Sequence, residues 1–224
     1  MKKTGVVIAS GGIDSTTLIY KLRNEGFDIV ILTFLYGQKH SKETVYAINI
    51  FEKLSLQYRL VDISGIRDII SGSALTDASV DVPDVPETAD HYDTLKTTIV
   101  PNRNSIFLSL AVAFARQLKY TNIFYGAHHS DRGVYPDCRK EFIESFEQSQ
   151  KLANDNTEIR IIAPFVELDK AEIVKLGHSL GVPYGDTWSC YKGQELHCGI
   201  CSSCNERKRA FRESGIEDPT IYKN

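Results

Sequence analysis

Short apolar runs alternate along the chain with longer amphipathic stretches, a pattern typical of strands and helices in βαβ units. The runs are rich in Val, Ile, Leu, Phe and Tyr, as in strands that are buried on both faces of a parallel sheet. The predicted strands are Gly5–Ala9, Ile29–Leu35, Tyr58–Ile63, Ile123–Gly126 and Ile159–Pro164.

The stretches between these runs place apolar residues at spacings of three and four, which predicts helices. The predicted helices are Thr16–Asn24, Lys42–Leu54, Ser105–Leu118, Lys140–Leu152 and Lys170–Leu180. The buried faces of the second and third are expected at Val45, Ile48 and Phe51, and at Ile106, Leu110, Ala113 and Phe114. The sequence therefore predicts an α/β fold with a doubly wound, five-stranded parallel sheet, whose ligand crevice lies at the carboxyl ends of the strands.

Two segments do not follow this alternation. Ser64–Thr98 is long, poor in large apolar residues, and interrupted by Pro83 and Pro86. Its acidic residues include Asp68, Asp77, Asp81, Asp84, Glu87, Asp90 and Asp93. Such a loop in a compact domain is either a lid over an active site or a solvated insertion, and the sequence leaves both open. The other segment, Asp186–Cys204, is rich in cysteine, so we divide the chain into an α/β domain at 1–185 and a lobe at 186–224.

Charge and hydropathy narrow the class of protein. The chain has 26 Lys and Arg against 29 Asp and Glu, a formal net charge of -3. A protein that holds duplex nucleic acid by its phosphates normally has a basic excess, so stable binding of nucleic acid is disfavoured. No apolar run is long enough to span a membrane, and Val6–Ala9 reads as a buried strand and not as a signal peptide. We therefore expect a cytoplasmic protein without membrane contact.

A phosphate-binding loop is predicted at Ser10–Ser15, which reads Ser-Gly-Gly-Ile-Asp-Ser between the first strand and the first helix. Adjacent Gly11 and Gly12 let the backbone turn sharply and bring N–H groups close to a ligand. The hydroxyls of Ser15 and Thr16 and the unpaired amides of the first helical turn add donors for an anion. A tight turn capped by serine is the alternative. The motif is neither a Walker A loop nor the Gly-x-Gly-x-x-Gly fingerprint.

The loop resembles the pyrophosphatase loop of N-type ATP pyrophosphatases, which cleave ATP between the α- and β-phosphates. The resemblance implies that the substrate attacks the α-phosphate to give an adenylated intermediate and pyrophosphate, with Mg²⁺ as the partner of ATP. The expected ATP-binding residues are Ile8, Ala9, Ser10, Gly11, Gly12, Ile13, Asp14, Ser15, Thr16, Thr17 and Leu18. The expected catalytic residues are Asp14, Ser15 and Lys170. Asp14 either helps to hold Mg²⁺ or stabilises the turn; Lys170 is either a cation for the phosphates or a solvated helix-end lysine.

A metal site is predicted near the C-terminal end of the printed sequence, where four of the five cysteines follow the spacing C-x7-C-x2-C-x2-C. Four thiolates and no open position describe a structural tetrahedral zinc. We expect one Zn²⁺ per chain, held by Cys190, Cys198, Cys201 and Cys204. An iron–sulfur cluster or a redox dithiol is a weaker alternative, because nothing else in the chain indicates electron transfer.

Neighbouring residues complete this predicted lobe. Gly199 permits the tight turn between ligands, and His197 is expected beside the site or on the surface, since four cysteines already complete the ligand set. The metal is expected to fold a lobe that is too small for its own core. Trp188 and Tyr191 would let that lobe form a wall of the substrate pocket.

Several further segments, together with the loop and the cysteines, resemble the 7-cyano-7-deazaguanine synthase family of the queuosine pathway. These segments are Tyr36–His40, Val100–Asn104, Tyr135–Arg139, Asp186–Tyr191 and Asp218–Tyr222, and the resemblance covers most of the chain. It implies an adenine nucleotide alpha hydrolase-like fold, a homodimer, and an ATP-dependent C–N ligase. Such an enzyme converts 7-carboxy-7-deazaguanine and free ammonia to the 7-cyano product through adenylated intermediates.

The substrate contacts that we expect carry open alternatives. Arg103 would pair with the substrate carboxylate or a phosphate, because its fork suits planar oxyanions. Asp137 would accept from the guanine-like N–H groups or cap a helix, and Arg139 would bind phosphate, bind the base or form a surface ion pair. Gln38 and His40 follow the second strand, at the crevice end of the sheet. Ala127–Ser130 departs from the form typical of the family and is assigned no role.

A tRNA-modifying ATP pyrophosphatase that acts directly on RNA is the rival function. Its residue-level support is the basic cluster Arg207, Lys208, Arg209 and Arg212, which is also suited to a subunit contact. Cys138, the remaining cysteine, is expected to be packed, because no amidotransferase setting for a nucleophilic thiol is found.

Overall fold

A parallel five-stranded sheet forms the centre of the computed structural model, which describes residues 2–86 and 95–223. The strand order is β3-β2-β1-β4-β5. The strands are β1 Thr4–Ile8, β2 Asp28–Leu35, β3 Gln57–Asp62, β4 Asn122–Phe124 and β5 Arg160–Ile162. The chain runs outward from β1 in one direction and then returns to β4 on the other side, so the order reverses between β1 and β4. A crevice at the carboxyl ends is expected at such a reversal.

The helices cover both faces of this sheet. They are α1 Ile13–Asn24, α2 Lys42–Lys53, α3 Arg103–Leu118, α4 Lys140–Ala153, α5 Lys170–Ser179 and α6 Ser202–Ser214. Successive strand residues point to opposite faces, and accordingly Val6 joins the core under α3 and α4 whereas Val7 joins the core under α1, α2 and α5. The predicted doubly wound α/β fold is confirmed.

Two predicted buried faces are partly wrong. In α2, Val45 is 52% exposed, and the buried positions are Thr44, Ala47, Ile50 and Phe51. In α3, Ala113 is exposed, and the buried positions are Leu108, Ala111, Val112 and Ala115. The α3 helix is apolar over most of its circumference, so its sequence permits two neighbouring stripes, and packing against the sheet selects one.

The third strand also differs from its prediction. It is an edge strand whose residues are exposed or half-buried along its whole length. Its polar residues Gln57, Arg59 and Asp62 suit an edge, because charged side chains there oppose pairing with another chain. The expectation that all five strands are buried on both faces is therefore wrong for β3.

The segment after β3 is packed where the structure describes it. Ile70 and Leu75 join the core under α3, and Ser73–Thr76 are buried. The backbone of Val85 pairs with Ile200 in the cysteine-rich lobe at 2.8 Å. The predicted acidic residues Glu87, Asp90 and Asp93 lie outside the described residues. The described part is thus anchored both to the main core and to the cysteine-rich lobe.

The C-terminal helix is attached to the main core. Ala210 and Phe211 of α6 belong to the same buried cluster as α1 and α5. Arg207 has no exposed surface and is bonded to Asp218, Thr187 and the carbonyl of Tyr184. Arg207 is therefore not part of a basic surface patch, whereas Arg209 and Arg212 of the predicted cluster are exposed. Among the described residues, no helix is both long and apolar enough to cross a membrane.

Candidate active site

A cavity of about 290 Å³ opens at the carboxyl ends of β1, β2 and β4. One side is formed by the Ser10–Ser15 loop and the segment after β4, and the other side by residues of the cysteine-rich lobe, among them Trp188 and Glu206. The predicted position of the crevice is confirmed.

The Ser10–Ser15 loop is held by one of its own side chains. The amides of Ser10 and Gly11 both donate to Oγ of Ser15, each at 3.2 Å. Gly11 has φ +87°, and a Cβ there would lie 2.7 Å from the backbone nitrogen of Ala47 in α2. The residue must therefore be glycine, both for its left-handed backbone and for this close approach. The Ser15 hydroxyl therefore fixes the shape of the loop, and Ser15 as a whole is 8% exposed.

The first helix begins earlier than predicted, at Ile13 and not at Thr16, so Asp14 lies in its first turn. No side chain caps the amides of this turn, and these amides favour an anion. Of the predicted ATP-binding residues, six line the cavity: Ile8, Ser10, Gly12, Ile13, Asp14 and Ser15. Those outside its lining are Ala9, Gly11, Thr16, Thr17 and Leu18. Thr17 instead bonds the hydroxyl of Tyr184 at 3.1 Å in the protein interior.

Lys170 lies between two carboxylates from distant parts of the chain. Its ammonium is 3.2 Å from Asp14 and 2.7 Å from Glu206 of α6. Burial alone lowers the pKa of Lys170, but the carboxylates of Asp14, Glu206 and Asp131 outweigh it and raise the pKa above its ordinary value. Asp169 caps α5 in a capping box with Glu172, which fixes Lys170 at the first helical position. Lys170 is thus a charged, buried cation at the cavity and not a solvated lysine.

A histidine and an aspartate complete this group. His128 is 1% exposed, and its Nε2 lies 3.3 Å from Asp131 and 3.7 Å from Asp14. The ligand-type atoms of His128, Asp131 and Glu206 all lie within 4.8 Å of one another. Burial raises the pKa of Asp131 to about 6, and His128 opposes that rise. The cluster therefore gathers several ionisable groups of both signs at one end of the cavity.

The opposite end of the cavity is lined by aromatic side chains together with Arg103 and Glu43, which are of opposite charge. Arg103, the first residue of α3, lies with its guanidinium carbon 5.9 Å from the ring centre of Tyr36. Tyr135 and Tyr191 line the same region. Burial raises the pKa of Glu43, whereas its hydrogen bond with Ser10 and the charge of Arg103 lower it. This end offers flat apolar surfaces together with one cation and one carboxyl group.

The other predicted substrate contacts divide into two groups. Gln38 and His40 line the cavity, although the Gln38 amide is bonded to the backbone of Tyr36 and Phe34. Asp137 and Arg139 are not among the lining residues. Arg139 is exposed, and its Nε donates to a backbone carbonyl at 2.9 Å. The predicted roles of these four residues remain predictions.

The four predicted metal ligands come together. The sulfur atoms of Cys190, Cys198, Cys201 and Cys204 lie within 4.8 Å of one another, all four residues are buried, and none forms a disulfide. Hydrogen bonds from the thiols of Cys201 and Cys204, and then from backbone amides, lower the pKa of Cys190 below its ordinary range. Gly199 has φ +75°, as its predicted turn requires. The cluster has the ligand set of a tetrahedral metal site.

His197 is buried beside this cluster and is not a surface residue. Its ring packs against Trp188 in a tilted arrangement, with 4.2 Å between the centroids and 39° between the planes, and its Nε2 accepts from the amide of Ser189 at 3.1 Å. Burial lowers the pKa of His197 to about 4, so the ring is neutral at neutral pH. It supports Trp188 in the wall of the cavity.

Sequence comparison identifies the family. The family profile described as queuosine biosynthesis protein QueC matches residues 4–215. The chain belongs to the QueC family. The 7-cyano-7-deazaguanine synthase of Caldicellulosiruptor saccharolyticus is 48% identical over 217 residues, which cover 97% of this chain and 94% of the relative. The 7-cyano-7-deazaguanine synthase 2 of Colwellia psychrerythraea is 43% identical over 224 residues, which cover 99% of both chains.

A solved structure supports the fold. The NMN synthetase from Francisella tularensis resembles this chain with a TM-score of 0.53 at 15% identity, covering 96% of this chain and 79% of that one. With the order of the parallel strands, this likeness confirms the adenine nucleotide alpha hydrolase-like fold that was expected of a QueC family member.

Three ionisable residues at the loop end of the cavity were missed from the sequence, namely His128, Asp131 and Glu206, and Glu43 was missed at the aromatic end. His128 lies in the segment that departs from the typical form of the family, and Glu206 lies next to the basic cluster. They follow no common spacing, and only the folded chain brings them together. A signal was present for His128 and Asp131, because both follow the end of β4 at the crevice.

Proposed function

We propose that this chain converts 7-carboxy-7-deazaguanine and ammonia to 7-cyano-7-deazaguanine at the expense of ATP, through adenylated intermediates. The observation that carries the proposal is a single cavity that joins the Ser10–Ser15 loop and Lys170 at one end to Arg103 and the tyrosines at the other. This matches the two chemical parts of the reaction: a triphosphate to be cleaved and a flat heterocycle with a carboxylate to be held.

The triphosphate is assigned to the loop end. The uncapped first-turn amides of α1 favour an anion, and Lys170 supplies a full positive charge in a buried position. Charge develops on the pyrophosphate as it leaves, and a fixed cation there stabilises the transition state. Asp14 holds the ammonium of Lys170 in place at 3.2 Å.

The heterocycle is assigned to the aromatic end. Tyr36, Phe107 and Tyr191 offer flat surfaces, and offset stacking of aromatic rings is favourable. Arg103 is the cation that faces this space, so it would orient the carboxylate towards the α-phosphate. The carboxyl group of Glu43, on the same side of the cavity, would accept from the N–H groups of the base.

Adenylation explains how a nitrile is reached from an acid. Attack of the carboxylate on the α-phosphate makes AMP the leaving group, which ammonia displaces to give an amide. A second attack, by the amide oxygen, again makes AMP the leaving group, and its departure with that oxygen leaves the nitrile. Both activations need the same arrangement of α-phosphate and acyl oxygen, so one cavity serves both.

Two metals are part of this proposal. The four buried cysteines fit Zn²⁺, since four thiolates in reach of one point leave no open position for chemistry. Zinc there would hold the lobe in its folded form. Mg²⁺ would arrive on the phosphates of ATP, and Oδ1 of Asp14, a buried oxygen without a hydrogen-bond partner among the described residues, fits it at the loop.

The test supplies the deazaguanine acid, ammonium and Mg-ATP and measures AMP, pyrophosphate and the nitrile by mass spectrometry. We expect all three products, and expect Asp14→Ala to lower turnover by on the order of 10²-fold or more, because Lys170 loses its anchor at the phosphates. The control is Asp28→Ala, which removes a carboxylate that pairs with Lys2 at the amino end of β2, far from the cavity lining. Full turnover in Asp14→Ala, or no nitrile from the unaltered protein, contradicts the proposal.

A further inference from the structure

The loop end of the cavity carries more negative than positive charge. Three carboxylates, Asp14, Asp131 and Glu206, line it together with one ammonium, that of Lys170. Lys170 is within 3.2 Å of Asp14 and 2.7 Å of Glu206, which leaves Asp131 with His128 as its ion-pair partner among the described residues. Even with His128 protonated the group keeps a net negative charge, so it favours one more small cation.

The Asp131 carboxylate is reachable as well as negative. Its side chain is 24% exposed and lines the cavity, whereas that of His128 is 2% exposed. Carboxylate oxygens only accept hydrogen bonds, so Asp131 and Asp14 favour the proton of the neutral imidazole on Nε2. Nε2 of the buried His128 therefore holds the Asp131 carboxylate from the side of the protein interior. The other ring nitrogen, Nδ1, is buried and has no hydrogen-bond partner among the described residues.

The proposed reaction requires a proton acceptor at the nitrogen. Ammonium enters as a cation, yet every N–H bond it carries is lost before the nitrile forms. One proton must leave before the lone pair can form the C–N bond to the acyl carbon, as the C–O bond to AMP breaks. A second proton leaves to give the neutral amide, and the remaining two leave the activated amide as its C–O bond breaks and AMP departs with the oxygen.

We propose that Asp131 binds the incoming ammonium ion and accepts the protons that its nitrogen gives up, with His128 as the residue that positions the carboxylate. The inference deepens the proposed function and rests on it. It requires no oxidant, reductant or further reactant, because each accepted proton passes from Asp131 to water in the open cavity.

The surroundings of Asp131 suit this role. Burial raises the pKa of Asp131, and the carboxylates of Glu206 and Asp14 raise it further. His128 and Lys170 lower it, and the resulting pKa is about 6. The phenols of Tyr125 and Tyr135 and the thiol of Cys138 also face it. A base in this range is ionised at neutral pH and still close enough to neutrality to exchange protons readily.

The test measures adenylation of the substrate separately from the reaction of the adenylate with ammonium. Exchange of labelled pyrophosphate into ATP, driven by the deazaguanine acid without ammonium, reports adenylation. Asp131→Asn should keep this exchange within a few-fold, whereas kcat/KM for ammonium should fall by on the order of 10²-fold. Asp28→Asn is the matched control. If Asp131→Asn lowers exchange and nitrile formation equally, or keeps the ordinary KM for ammonium, the inference is wrong.

Hydroxylamine distinguishes a base from a merely structural residue. It is uncharged at neutral pH and attacks acyl adenylates to give a hydroxamate, so capture of a cation is not needed. Asp131→Asn should form hydroxamate far better than amide; an equal loss of both would overturn the inference. Asp131→Glu, which restores a carboxylate, should recover part of the ammonium-dependent rate.

The positioning role of His128 has its own signature. Since His128 lowers the pKa of Asp131, His128→Gln should raise it. The acidic limb of the profile of kcat/KM for ammonium then moves to higher pH, because protonated Asp131 cannot accept a proton, while KM for ATP stays the same. An unchanged limb would refute the positioning role. Absence of both exchange and nitrile in the unaltered protein would instead refute the proposed function and this inference together.

Discussion

The two walls of the cavity are built in different ways. The sheet wall, formed by residues 8–15 and 125–135, stands on two large apolar cores on either face of the sheet. The lobe wall, formed by residues 188–206, has a buried cluster that consists of Trp188 and the four cysteines. Hydrophobic burial therefore positions the sheet wall, whereas we expect the lobe wall to depend on a metal ion held by those thiolates.

Hydrogen bonds nevertheless connect the lobe wall to other residues that line or support the cavity, including Gly11, His40 and Lys170. The amide of Trp188 donates to the carbonyl of Gly11 at 3.1 Å, and His40 contacts the carbonyl of Tyr191 at 3.0 Å. Lys170 bonds Glu206 at 2.7 Å. Chemistry at the loop is thus expected to depend on the lobe. The following predictions test this difference.

The largest effect is expected from Cys201→Ser. Serine does not replace a thiolate ligand of zinc, so the protein should lose its metal and Tyr191 and Glu206 should lose their positions. Turnover should disappear while the helical circular dichroism of the sheet domain is mostly kept. Metal analysis and far-ultraviolet circular dichroism measure the two outcomes.

A second cysteine provides the control for that variant. Cys138 is also buried, but it lies outside the metal cluster. Cys138→Ser should retain the metal in full. If Cys201→Ser keeps both metal and turnover, the lobe wall does not depend on a metal site.

The next effect concerns Arg207, whose buried guanidinium pairs with Asp218 and also donates to the carbonyl of Tyr184. Arg207→Met removes a buried guanidinium, so Asp218 loses its cationic partner and the carbonyl of Tyr184 loses one of its donors. The free energy of unfolding should fall by about 3 kcal/mol, in the range for breaking a buried pair, while the metal is retained. Chemical denaturation measures it. The exposed Arg209→Met is the control, and an equal effect of both variants contradicts the structural role of Arg207.

The smallest of these effects is at the loop. Gly11→Ala places a Cβ 2.7 Å from the backbone of Ala47 at φ +87°. Unfolding should become easier by about 1–3 kcal/mol, and KM for ATP should rise because the loop shifts. Gly26→Ala has a similar φ of +78° but no atom within 4 Å of the new Cβ. The difference between the two variants isolates the close approach, and equal KM values would show that the clash does not reach the loop.

Local signals in the sequence were enough for much of this molecule. Strands, helices, the loop and the cysteine set are each encoded within a few consecutive residues, and all were placed correctly to within a few positions. What depends on tertiary packing was not predicted: the buried stripe of α3, the edge position of β3 and the burial of Arg207. One amino-acid sequence does not show how far each helix is rotated about its own axis when it packs on the sheet.

The candidate site likewise contains residues that a local motif identifies and residues that only the fold brings together. Asp14 and Lys170 were identified because each lies beside a local motif. His128 and Glu206 meet only because the segment after β4 faces the start of α6 across the cavity. That juxtaposition has no counterpart in sequence spacing.

The hydrogen bond from Trp188 to Gly11 has a consequence for synthesis of the protein. The glycine loop leaves the ribosome well before Trp188 and α6, which complete its cavity. Domains form as units during synthesis, so a nascent chain can assemble its sheet and still lack a finished nucleotide site. Catalytic competence thus arrives late, when the segment carrying α6 has emerged and docked.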